Sequence, residues 1–138
     1  MYKRQEWEKA ARGENGFIYP WGNKFDPQNA NTISSKIGDT SEVGQFSPQG
    51  DSPYNCADMV GNIWEWCNDW LDDNEYKNRL EKIIKDPQGS KKEEGYHILR
   101  GGCFLDSPSY IRCAIRGFSQ PYYSPNYYGF QMCIRDSN

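Results

Sequence analysis

The chain has 138 residues, enough for one small domain or a piece of a larger one. It is 36% hydrophobic yet 15% aromatic, with 13 glycines and 8 prolines, a mix that favours turns, short strands and a core built on rings. A net charge of −3 with no basic stripe argues against a nucleic-acid partner, no stretch is apolar enough to span a bilayer, and MYKRQEWEKAARG lacks the apolar segment of a signal peptide.

The first element expected is a helix over RQEWEKAARG, where Trp7, Ala10 and Ala11 share a face and Gly13 stands at the C′ position. An aromatic turn, IYPWGN, follows. From there to Asp51 the chain is polar and aperiodic, but Phe17, Tyr19, Trp21, Phe25 and Phe46 punctuate it, so it reads as ordered loop. NIWEWCNDW alternates with period two, Ile63, Glu65 and Cys67 against Trp64 and Trp66, and predicts a strand. DDNEYKNRLEKIIKD spaces Tyr76, Leu80, Ile83 and Ile84 as a helix would, its charges marking a solvated face. YHILRGGCF and SYIRCAIRG are strand-like, and YYGFQMCIR closes the sheet. No internal repeat is present.

Five cysteines, Cys56, Cys67, Cys103, Cys113 and Cys133, include no C-x-x-C, which disfavours zinc. The sequence leaves their pairing open, from none to two bridges. With His97 as the one histidine, no three-histidine metal site forms within this chain. Cys67 and His97 read as fillers of a packed interior.

EWEKAARG, YPWGN, ANT, DMVGNIWEWCNDW, LRGG, RCAIRG and YYGFQMC stand in the order typical of the formylglycine-generating enzyme, or sulfatase-modifying factor, family. Each motif alone is weak; seven in order form a specific resemblance that covers nearly the whole chain. It implies an α+β, C-type-lectin-like fold, loop-rich, with short antiparallel strands and few helices. It also implies that residues 1–138 form the C-terminal part of one such domain, whose N-terminal half precedes EWEKAARG and is needed for the full fold. The resemblance leaves the compartment open.

In the resembled family the segment matching Asp58–Glu65 wraps calcium. The resemblance implies ligands from the Asp58 and Glu65 side chains and the Gly61 and Ile63 carbonyls, a set suited to a hard cation. Asp58 stands where an asparagine is common. The plainer alternative makes Glu65 the outward residue of a tryptophan-rich strand and Asp58 a turn cap. A second, weaker calcium set would use Asn31, Thr32 and Ile37.

The family's activity is oxidation of a substrate cysteine to formylglycine, with copper(I) held by two cysteines beyond a GGS turn. Soft thiolates suit that ion. RGGCFLDSPSYIRCAIRG departs from the pattern: Asp106 takes the first copper position, and the second falls near Tyr110 or Ile111. Cys103 and Cys113 remain as weak substitutes for a copper pair. The expectation is therefore a domain that lacks this oxidation. A substrate groove by resemblance would include Trp64, Tyr110, Arg112 and Arg116, the two arginines serving either there or in ion pairs with Asp106 or Asp69. Two other readings stand beside this one. The first is a non-catalytic binding module of the retroelement-diversified type, taking a protein or peptide ligand through the tyrosine-rich GFSQPYYSPNYYGF. The second is an accessory part of a non-haem iron enzyme related to ergothioneine sulfoxide synthases, which needs histidines from elsewhere.

Overall fold

The computed structural model describes residues 3–72 and 95–130. Helix α1 (Arg4–Arg12) forms as the spacing predicts, burying Arg4, Trp7 and Ala11 on one face. Glu6 accepts the Lys3 N–H at 2.9 Å and so satisfies a backbone donor at the helix start. At the other end Gly13 takes a positive φ of 63°, and its N–H reaches the Lys9 carbonyl at 3.0 Å.

The long segment that follows is turns, held by its rings. Tyr19 stacks on Trp21 with centroids 5.5 Å apart, and Phe25 tilts against Tyr19. Tyr19 lies in the core, with Trp21 and Phe25 packed against its edge. A single 3₁₀ turn, Ile33–Ser35, interrupts the loop.

Four strands make one sheet in the order β3-β2-β1-β4: β1 (Trp64–Trp70), β2 (His97–Arg100), β3 (Gly117–Ser119) and β4 (Tyr128–Gly129). β1 pairs antiparallel with β2, and β2 with β3, but β4 runs parallel to β1. The sheet is thus mixed, where short antiparallel strands were expected.

The period-two pattern of β1 holds, with an inverted sense. Glu65, Cys67 and Asp69 face the core; Trp64, Trp66 and Trp70 lie half-buried on the other face. There Trp66 meets Tyr128 edge-on at 5.6 Å and Trp70 lies 3.9 Å from the His97 ring. A half-covered sheet face suits large rings, and the interior row is left to residues that helix α1 can satisfy.

The strand expected over SYIRCAIRG is absent: residues 109–116 are turns, and the short strand begins at Gly117. The buried Arg100 explains this. Its guanidinium donates to the carbonyls of Cys113 (2.6 Å), Ala114 (3.2 Å) and Ile115 (2.6 Å), three consecutive acceptors that no extended ladder could turn to one side. The helix expected over 72–86 and the chain beyond Phe130 lie almost wholly outside the described residues.

Candidate functional site

The loop leading into β1 is curled by left-handed residues, Asp58 (φ 50°), Gly61 (φ 79°) and Asn62 (φ 61°). A side chain at Gly61 would collide with the Asn31 carbonyl, so only glycine fits that approach. Three backbone bonds pin the curl: Gly61 N–H to Gly101 O (2.9 Å), Asn62 N–H to Asn31 O (2.8 Å), and Phe104 N–H to Asn62 O (3.0 Å). The Asn62 amide adds a fourth anchor, its Oδ1 accepting the Ser41 N–H at 2.9 Å. Among the described residues no backbone N–H donates to the carbonyl of Gly61 or of Ile63.

Glu65 projects inward from β1, not outward as the plainer alternative has it, and its side chain is buried. Its Oε2 accepts the Trp7 indole N–H at 2.7 Å. Burial pushes the carboxyl up to about 8, with the Asp58 charge adding to the rise; the Trp7 bond and the Arg100 charge oppose it. Asp58, half-buried, accepts the Gly44 N–H at 2.6 Å. Its carboxyl is also raised by burial, and by the charge of Asp51, against that hydrogen bond. Two carboxyls raised by burial, the Asp58 charge adding to the rise at Glu65, stand with two carbonyls that receive no backbone N–H among the described residues, and all four offer oxygen donors. That chemistry fits a hard divalent cation such as calcium.

The second set is arranged differently. The Asn31 side chain is buried; its Nδ2 donates to the Asp39 carbonyl at 2.8 Å, while its Oδ1 accepts from the Ser35 hydroxyl at 3.1 Å. The Thr32 carbonyl is 2.7 Å from the same hydroxyl and also receives the Ser35 N–H. Ser35 therefore occupies the oxygens that a cation would take, and Ile37 is exposed.

Cys103 and Cys113 are both buried. Cys113 is fully buried within the core cluster that includes Cys67, Met59 and Ile111, and burial pushes its thiol up to about 12. Cys103 lies outside that cluster. Its N–H donates to Asp106 at 2.9 Å, and burial raises its thiol to about 11. Cys67, Cys103 and Cys113 are free thiols.

The groove residues are only loosely assembled. Trp64 packs over Gly117, where a side chain would press on its ring, while Tyr110 and Arg112 are exposed on the preceding turns. Among the described residues no ring contact or hydrogen bond joins Trp64 to either. Arg112 donates to the Ser109 carbonyl at 2.9 Å. Arg116 stands 4.0 Å from Glu8, while Asp69 is engaged by Arg4, its Oδ2 accepting the Arg4 N–H at 2.7 Å. Asp106 serves the Cys103 N–H. Glu8 is thus one carboxylate beside Arg116.

Sequence reasoning passed over Trp7, Glu8 and Arg100. The Arg100 guanidinium pairs with Glu8 at 2.8 Å and lies 4.8 Å over the Trp7 ring. Two acidic residues flanking a tryptophan in α1, EWE, were the available signal.

A family model described as sulfatase-modifying factor enzyme 1-like domain matches residues 1–136. The chain belongs to this family. Over 134 residues it is 34% identical to a serine/threonine-protein kinase pkn1 of Chlamydia pneumoniae, covering 96% of the chain and 20% of that relative. A formylglycine-generating enzyme of Thermomonospora curvata is 34% identical over 148 residues, with 95% and 47% covered. An inactive C-alpha-formylglycine-generating enzyme 2 of Bos taurus is 47% identical over 73 residues, 45% of the chain and 24% of that protein. Among solved structures, PvdO from Pseudomonas aeruginosa superposes with a TM-score of 0.78 at 25% identity, covering 94% of this chain and 50% of that one. The Treponema denticola variable protein 1 follows at 0.75 and 25%, covering 94% and 45%. The chain thus spans a fifth to a half of these relatives' lengths. As a sulfatase-modifying factor family domain it shares their loop-rich α+β fold.

Proposed function

We propose that this family domain is a calcium-stabilised binding module that does not itself oxidise cysteine to formylglycine. The observation that carries the reading is the contrast in donors: the Gly61 and Ile63 carbonyls take no backbone N–H among the described residues and stand in the segment that holds the Asp58 and Glu65 carboxyls, whereas the thiols of Cys103 and Cys113 are buried. Calcium, when bound, would supply the positive charge that the two carboxylates lack and would hold the loop to β1. The thiols do not fit copper, so no oxidation step is assigned to them.

The ligand-binding surface is the tyrosine-rich end. Tyr122 is 81% exposed, and Tyr123, Phe118 and Phe130 are more than half exposed. Tyr123, Tyr127 and Tyr128 make edge-on ring contacts with one another, which fixes their rims as a wall. Rigid rings with neighbouring serine and asparagine suit a protein or peptide ligand. The inactive relative supports a family domain without the oxidation, and the formylglycine-generating enzymes keep the oxidase as the rival.

Two titrations decide between them. Calorimetry with Ca²⁺ is expected to give one site that Glu65→Ala abolishes. Incubating the protein with Cu(I), O₂ and a cysteine-bearing sulfatase-motif peptide is expected to give no aldehyde, and aldehyde formation would sink the reading.

A further inference from the structure

We infer that Trp7, on a helix more than fifty residues away in sequence, is the positioning residue that aims Glu65 at the cation. The inference rests on the calcium reading above. A carboxylate has two oxygens and can turn about its last bond, so a ligand carboxylate needs a second partner to fix which oxygen faces the metal. Here the partner is the Trp7 indole, whose N–H donates to Oε2 at 2.7 Å and leaves Oε1 as the oxygen available to a ligand.

Trp7 is itself held from both sides. It is 3% exposed in the core. The Arg100 guanidinium lies over its ring at 4.8 Å and is anchored by Glu8, one residue along the same helix, at 2.8 Å. A cation on the ring face draws electron density from the indole and strengthens its N–H as a donor. The Gly101 backbone also comes close to the Trp7 ring, so the residue after β2 limits its tilt. The row Glu8, Arg100, Trp7, Glu65 therefore runs from the solvated side of α1 to the loop at Asp58. Helix α1 sets the geometry of a site to which it contributes no ligand.

The test is Ca²⁺ calorimetry on the whole chain and on Trp7→Phe, which keeps a ring but removes the donor. The expected result is calcium affinity weaker by about tenfold or more at neutral pH. A purely structural role would instead lower the melting temperature equally with calcium and with chelator, leaving affinity unchanged. Unchanged or tighter binding in Trp7→Phe overturns the inference alone. Absence of calcium uptake by the unaltered chain overturns the calcium reading and this inference together.

If Trp7→Phe does not fold, the unaltered protein still answers. With ¹⁵N-labelled tryptophan, assigned through phenylalanine variants at the other four positions, the Trp7 indole N–H resonance is expected to shift on calcium saturation. It should exchange with solvent more slowly than the indole of Trp21, which bonds the Lys24 carbonyl at an exposed site. A Trp7 resonance indifferent to calcium contradicts the proposed aim of Glu65.

Discussion

Two loops of this protein lie against each other, and they treat their chemical groups in opposite ways. The loop at residues 58–63 and the loop at residues 101–106 both turn on left-handed residues and are stitched together by the Gly61–Gly101 and Asn62–Phe104 bonds. The first leaves the Gly61 and Ile63 carbonyls without a backbone N–H among the described residues, beside the half-buried Asp58 carboxyl. The second buries its cysteine and covers the neighbouring amide with Asp106. Within one family fold, then, a shared backbone frame does not decide which chemistry is available; the side chains set into it do.

The largest expected effect separates the two loops at their glycines. In Gly61→Ala the new methyl meets a backbone carbonyl and a left-handed φ of 79° at once. A loss of about 3 kcal/mol or more is expected in chemical denaturation, together with loss of calcium binding. Gly102→Ala has nearly the same φ, 78°, but its methyl meets the buried Ile111 Cγ2 first and backbone atoms less closely than at Gly61. A smaller loss, about 1–2 kcal/mol, is expected there. Equal losses at the two positions would erase the distinction between a backbone and a side-chain obstacle.

The next effect is pH dependence. The Glu65 carboxyl stands near 8 in the fold, above its ordinary 4.5, so the folded state binds more protons than the unfolded state between those values. Stability of the calcium-free protein should therefore fall as pH rises through that window, by up to about 1.4 kcal/mol per unit. Saturating calcium holds the carboxylate ionised and should flatten the slope, and calcium affinity should rise with pH across the same range. Melting curves at several pH values, with calcium or chelator, read both. A slope unchanged in Glu65→Gln would assign it to another group.

A smaller effect concerns the thiols. Native protein is expected to react only slowly with a thiol reagent at Cys67, Cys103 and Cys113, because a raised pKa and burial both withhold the thiolate. Fast labelling of Cys103 or Cys113, followed by mass spectrometry of peptides, would reopen the copper reading. The smallest effect belongs to the tyrosine end: Tyr122→Ser should change stability by less than about 0.5 kcal/mol while weakening ligand capture, since the residue is 81% exposed.

Much of this was legible in the sequence. The helix stop at Gly13, the aromatic turn and the alternation of β1 follow from local spacing and turn chemistry, and the structure has them. The alternation could not say which face is inside, because tryptophans usually mark a core. The deciding fact is the availability of Trp7 and Arg4 on α1 to satisfy Glu65 and Asp69 from above. The strand misread at 109–116 has the same origin. A period-two pattern records side chains, whereas three carbonyls turned toward one buried guanidinium are a tertiary event invisible in the pattern. The oxygens of the candidate metal loop were named from family resemblance; that the Gly61 and Ile63 carbonyls take no backbone N–H among the described residues could be seen only once the chain was folded.

β4 has one more consequence, for the order of events during synthesis. The Trp64 N–H at the end of the metal loop donates to the Tyr127 carbonyl at 2.8 Å, and Gly129 lies against the Ile63 side chain. While the ribosome is still translating the middle of the chain, that amide has no native partner and the loop has no floor. Closure across so long a stretch of chain is entropically costly and slow. The loop leading into β1 is therefore completed only after β4 has emerged, and a chain stalled before that point would leave the loop unclosed.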